Sequence, residues 1–71
     1  MSERFDDLAD RLDAIAEEIA EAAIDELRGA LQRGEAKRPT LEKRLTQSRR
    51  AVEKASHLLR RLDGESADND D

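Results

Sequence analysis

One histidine and four serines are the first candidates for catalysis in this 71-residue sequence, in which cysteine, tyrosine and tryptophan are absent. His57 follows Glu53 by four residues, a spacing that brings two side chains together on a helix and could hold a metal ion. Helical periodicity places His57 on the solvent side, where it is poorly oriented as a catalytic base. The serines have no base beside them, and we expect Ser48 to bond a backbone carbonyl within a helix interface. We therefore predict no catalytic residue, no metal site, no cofactor and no enzymatic activity.

An acidic run is the other candidate for chemistry, because carboxylates are good ligands for Mg²⁺. The run Glu17-Glu18-Ile19-Ala20-Glu21 resembles the EExxE element of MazG-type nucleotide pyrophosphohydrolases, a helical family in which a second element, ExxD, on the next helix completes the Mg²⁺ site. The later ExxD of this sequence is Glu65-Ser66-Ala67-Asp68, close to the C-terminus, and the predicted second helix offers only Glu42 and Glu53 before it. We interpret the acidic run as a solvated face.

Basic side chains recur in the second half of the sequence at spacings of four and three residues. On a helix this spacing forms a stripe about 27 Å long, since the rise is about 1.5 Å per residue. We name it the basic stripe, and it consists of Lys43, Gln47, Arg50, Lys54, His57 and Arg61. Its cations (Lys43, Arg50, Lys54 and Arg61) are the candidate partner-binding residues, suited to an acidic protein segment or to phosphate groups. No aromatic residue is interleaved for base stacking, so nucleic acid is the less favoured partner.

Length and composition allow one small domain, since 44% of the 71 residues are charged. The net charge of −5 makes the whole molecule repel nucleic acid and acidic membranes. No apolar run approaches the roughly 20 residues that span a bilayer, and the N-terminus lacks a basic segment followed by an apolar core. With no cysteine, we expect a cytoplasmic protein that does not bind membranes.

Heptad spacing of the apolar residues predicts an all-α fold, an antiparallel two-helix hairpin of the coiled-coil type. Helix one should cover about residues 2–33 and end at Gly34; the turn should cover 34–38, and helix two about 39–63. Residues 1–63 thus form the hairpin, and residues 64–71 are polar and acidic, which predicts a disordered tail. The predicted seam consists of Phe5, Leu8, Leu12, Ile15, Ile19, Ile24, Leu27, Leu31, Leu41, Leu45, Val52, Leu58, Leu59 and Leu62.

The apolar pattern is wider than one partner helix can cover. Ala9, Ala16 and Ala23 recur seven residues apart and flank the seam, as in helices that touch two neighbours. One hairpin also has a thin core. We therefore predict that two hairpins pair as a homodimer into a four-helix bundle.

Charge is segregated between the two predicted helices, since residues 2–33 carry a net charge of −6 and residues 39–63 a net charge of +4. This pattern favours helix one beside helix two, within or between protomers. Together these features favour a small non-enzymatic protein–protein interaction module, acting as an adaptor, regulator or accessory subunit. The alternative is a nucleic-acid-associated protein that binds phosphate through the basic stripe.

Overall fold

Two long helices joined by a short turn make up the fold. The computed structural model describes residues 3–68, with side chains described for residues 3–62. Helix α1 covers Glu3–Gln32, and helix α2 covers Thr40–Asp68 and packs against α1. The result is a flat ribbon that measures 57 × 19 × 10 Å. The predicted all-helical hairpin is thus confirmed, and neither of the two described helices has the length and apolar character needed to cross a membrane.

The turn begins where the sequence predicts it, because Gly34 adopts a positive φ of 77°. The amide of Gly34 donates to the carbonyl of Leu31 over 3.0 Å, and the amide of Glu35 donates to the carbonyl of Ala30 over 2.9 Å. These two bonds satisfy carbonyls that the helix end would otherwise leave unpaired. At the start of α2, the amide of Lys43 donates a hydrogen bond to the carbonyl of Pro39 over 3.1 Å.

Helix α2 extends past the end that the sequence predicts at residue 63. It continues through Gly64 to Asp68, so residues 64–68 of the predicted tail are helical in the structure. A glycine inside a helix costs only about 1 kcal/mol, and the neighbouring Glu65 and Ala67 are good helix formers. The predicted N-cap Ser2 and the last tail residues, 69–71, lie outside the described residues.

Alanines, not large apolar residues, form the centre of the contact between α1 and α2. The buried residues of α1 are Ala9, Ala16, Ala23 and Ala30, each separated from the next by seven residues. We name them the alanine stripe. Sequence analysis places three of them beside the seam, and the structure corrects this: the helices meet along the stripe because side chains this small allow close approach of two backbones.

On α2, the buried side chains that face this stripe are Glu42 and Ser56, separated by two heptads. Ser56 is 0% exposed, and its Oγ lies 3.3 Å from the carbonyl oxygen of Ala9. Ser48, which the sequence predicts as the polar residue of the interface, is exposed instead. Glu42 and Ser56 mark the edge of α2 that contacts the alanine stripe, and Ser48 lies outside that edge.

The hairpin has two distinct flat faces. On each helix, residues that come one or four positions after a buried residue, or three positions before it, lie on one side of the contact between α1 and α2. Residues that come one or four positions before a buried residue, or three positions after it, lie on the other side. Arg60, four after Ser56, pairs with Asp13, four after Ala9, over 2.6 Å. These two sides therefore share one face of the ribbon, which we name the ion-pair face. The opposite sides of α1 and α2 form the second face.

Candidate interaction surfaces

The second face of the ribbon carries most of the large apolar side chains, and we name it the apolar face. No large apolar side chain among residues 3–62 is fully buried in the single hairpin. Ile15 is 45% exposed, Leu41 53% and Leu58 49%. By helical position, the apolar face consists of Phe5, Leu8, Leu12, Ile15, Ile19, Leu41, Leu45, Val52, Leu59 and Leu62, with Leu58, two residues after Ser56, at its outer edge.

Three predicted seam residues lie on the other side of the contact. Ile24 and Leu31 each follow a buried alanine by one residue, and Leu27 follows Ala23 by four, which places all three toward the ion-pair face. Leu31 is 72% exposed and Ile24 46%. The physical reason is that Ile24 follows Ile19 by five residues, a step that advances the pattern about 140° around the helix.

A polar cluster joins the two helices on the ion-pair face near their open end. The hydroxyl of Ser56 donates to Asp13 Oδ1 over 2.6 Å, and Arg60 Nη2 donates to Asp13 Oδ2 over 2.6 Å and to Asp10 Oδ1 over 2.7 Å. The Ser56 hydrogen bond, followed by that of Arg60, lowers the pKa of Asp13 below its ordinary value. The cluster fixes the register of α1 against α2, because it pairs the helices at one level along the hairpin.

A second polar cluster secures the start of α2. The Glu42 carboxylate is buried, and it accepts hydrogen bonds from the guanidinium of Arg38 and, over 2.9 Å, from the hydroxyl of Thr46. The Arg38 hydrogen bond lowers the pKa of Glu42. Arg38 lies in the turn and is exposed, so this partly buried ion pair ties the turn to the first two turns of α2.

A shallow groove of about 260 Å³ lies on the ion-pair face, and it is lined by Asp13, Ala16, Glu17, Arg49 and Glu53. Arg49 Nε donates to Glu53 Oε2 over 3.1 Å. The groove thus places carboxylates beside a cation that already neutralises one of them. Within residues 3–68, no group of three or more histidines, aspartates and glutamates is placed to hold a metal ion.

The basic stripe lies on the outer part of the ion-pair side of α2, since Lys43, Arg50 and His57 each follow a contact position by one residue. Lys43, Arg50, Lys54 and His57 are exposed. Arg61 is exposed as well and takes part in an interaction of its own. The stripe is therefore accessible in the hairpin, and its position leaves the apolar face free to bind something else.

The polar residues that the hairpin buries are not predicted by the apolar periodicity of the sequence. Glu42 and Ser56 occupy the same heptad position, and Arg49 occupies the one between them. A polar or small residue at each seventh position of α2 matches the alanine at each seventh position of α1. That matching period is the signal in the sequence that could have identified these positions as the contact edge.

No family model, no curated protein and no solved structure matches this chain.

Proposed function

We propose that this protein is a small, cytoplasmic, non-enzymatic interaction module that acts as a homodimer, with two hairpins stacked through their apolar faces into a four-helix bundle. The observation that carries the proposal is the difference in side-chain size between the contact within the hairpin and the apolar face beside it. Alanines occupy the contact within the hairpin, while eleven large apolar side chains lie on one flat face beside it. Contiguous apolar surface of this kind indicates an interaction site.

A second copy of the same chain is the partner that fits this face. Two-layer packing of amphipathic helices buries the apolar side of each helix, and a flat two-helix ribbon achieves this by pairing with an equal ribbon. The large residues then interdigitate between hairpins, while the alanine stripes keep the helices of each hairpin close. The acidic α1 and the basic α2 also provide opposite charges for contacts between copies.

The basic stripe supplies the surface for a further partner. It lies on the outer part of the ion-pair side of α2 and does not belong to the apolar face, so dimerisation leaves it exposed. Lysine and arginine side chains spaced along one helix suit an acidic protein segment. We propose that the dimer recruits such a segment as an adaptor, regulator or accessory subunit.

Sedimentation equilibrium tests the dimer. The wild-type chain of 8.0 kDa should sediment at about twice its mass, and its melting temperature should rise with protein concentration. Ile15→Glu on the apolar face should shift the equilibrium to monomers, because it buries a charge at the proposed interface. Leu31→Glu is the matched control, since Leu31 is more exposed and lies on the opposite face. A monomeric wild type, or equal effects of the two substitutions, would contradict the proposal.

Charge reversal tests the basic stripe. Replacing Lys43, Arg50 and Lys54 by glutamate should leave the helicity largely intact, weaken the dimer mainly at low salt, and abolish binding to an acidic polypeptide such as polyglutamate. Binding to generic duplex DNA should be weak in the wild type at all but the lowest salt. Tight DNA binding that decreases steeply with salt and is lost in the triple variant would instead support the nucleic-acid alternative.

A further inference from the structure

We infer that the two hairpins of the dimer lie with their turns at the same end, so that α1 of each chain covers α2 of its partner. This inference rests on the proposed dimer and specifies how the second copy is oriented on the apolar face. Only two twofold arrangements stack the same flat face of a two-helix ribbon on itself over its full length. An axis parallel to the helices brings the turns together and places α1 over the partner's helix α2. An axis across the helices separates the turns and places α1 over α1 and α2 over α2.

Charge complementarity favours the arrangement with the turns together. Residues 3–32 of α1 include ten acidic and three basic side chains, whereas residues 40–62 of α2 include seven basic and two acidic ones. Stacking α1 on α1 and α2 on α2 places like charges along both sides of the bundle. Stacking α1 on α2 places opposite charges along both sides, which lowers the electrostatic energy of the dimer.

One pair of side chains at the border of the apolar face illustrates this difference. Asp25, two residues after Ala23, is exposed at the outer edge of the apolar face on α1. Arg44, two residues after Glu42, is exposed at the outer edge of the same face on α2. The hydrogen bond between Ser56 and Asp13 sets the level of the two helices, and in that register residue 25 lies level with residue 44. With the turns together, Asp25 of one chain therefore lies over Arg44 of the other.

The apolar side chains of α1 favour the same arrangement. All five that belong to the apolar face lie in its first half, Phe5 through Ile19, near the open end of the hairpin. The second half of α1 places Glu26 and Gly29 on that face instead. With the turns at opposite ends, Leu8 and Leu12 would lie over Gly29 and Glu26. With the turns together, they lie over the apolar residues at the open end of the partner's helix α2, in layers such as Leu12 over Leu59.

This arrangement determines how the dimer presents its basic stripes. The two α2 helices occupy diagonal corners of the bundle, so each basic stripe is flanked by acidic α1 helices. The dimer then has two separate and equivalent sites for acidic segments. The opposite arrangement would merge the stripes into one broad basic side, which is the surface that a nucleic-acid duplex requires.

Distance measurement between spin labels tests the inference, since the chain has no native cysteine. Lys37→Cys places one label in each turn. Pulsed electron paramagnetic resonance should give a separation below about 25 Å if the turns lie together, compared with about 45 Å, the length of a 30-residue helix, if they lie apart. Arg50→Cys, near the middle of α2, is the control, because its label separation differs much less between the two arrangements.

The outcomes separate the inference from the proposal on which it depends. A long distance between turn labels in a protein that sediments as a dimer overturns the arrangement and leaves the dimer standing. A protein that sediments as a monomer overturns both. A short distance supports both.

Charge exchange provides an independent measurement. Asp25→Arg and Arg44→Asp should each raise the dimer dissociation constant about tenfold, since each change occurs twice in the dimer, and the double variant should recover most of the loss. Circular dichroism of each variant checks that the helices remain formed. Additive losses in the double variant, with helicity retained, would show that the two residues do not face each other and would contradict the arrangement.

Discussion

The alanine stripe makes the hairpin sensitive to a substitution that is harmless on most helices. Ala16 is 4% exposed and lies in the middle of the contact between α1 and α2. Ala16→Leu replaces a methyl group by an isobutyl group where the backbones are held close, and leucine is nearly as good a helix former as alanine. The added atoms must displace α2 or adopt a strained rotamer, which costs about 2 kcal/mol.

Thermal unfolding followed by circular dichroism measures this loss. For a domain of this size, about 2 kcal/mol corresponds to a decrease of about 8–16 °C in melting temperature. Ala14→Leu is the matched control, because Ala14 is exposed on the outer side of α1 and receives the same added atoms. It should change stability by less than about 0.5 kcal/mol. If Ala16→Leu were tolerated as well as Ala14→Leu, alanine 16 would flank the contact instead of forming its centre, and the faces assigned to the ribbon would be wrong.

Four further perturbations follow from single features of the hairpin. Ser56→Ala should destabilise the protein by about 1 kcal/mol in urea unfolding, because it removes a buried hydrogen bond to a carboxylate, and an unchanged unfolding midpoint would contradict this. Gly34→Ala should cost about 1–2 kcal/mol because of the positive φ, whereas Gly29→Ala should stabilise the helix by up to about 1 kcal/mol, since the added Cβ meets only the flexible end of an arginine side chain within 4 Å. The pKa values of Asp13 and Glu42 are lowered in the folded state. The stability that these two carboxylates contribute is therefore present above their ordinary pKa values of 3.8 and 4.5, and it is lost as the pH falls below those values. The melting temperature, measured as a function of pH, should begin to decline near pH 4.5.

Local features of the chain were predictable from the sequence because they depend on residues close together in it. Heptad spacing identified both helices, since a 3.5-residue apolar repeat has few other interpretations. Gly34 identified the end of α1, because a left-handed residue at that position is most readily glycine. The same locality explains the error at Gly64: a single glycine weakens a helix but does not end it, and the structure continues α2 to Asp68.

The face that each helix turns toward the other was decided only by the tertiary structure. Sequence periodicity shows which side of a helix is apolar, but a stripe this wide can be rotated against its partner by tens of degrees and still bury apolar surface. In the hairpin, the close approach along the alanine stripe and the pairing of Asp13 with Ser56 and Arg60 select one rotation. That rotation moves most of the large apolar side chains from the contact between α1 and α2 onto one flat face, where residues far apart in sequence form a single surface.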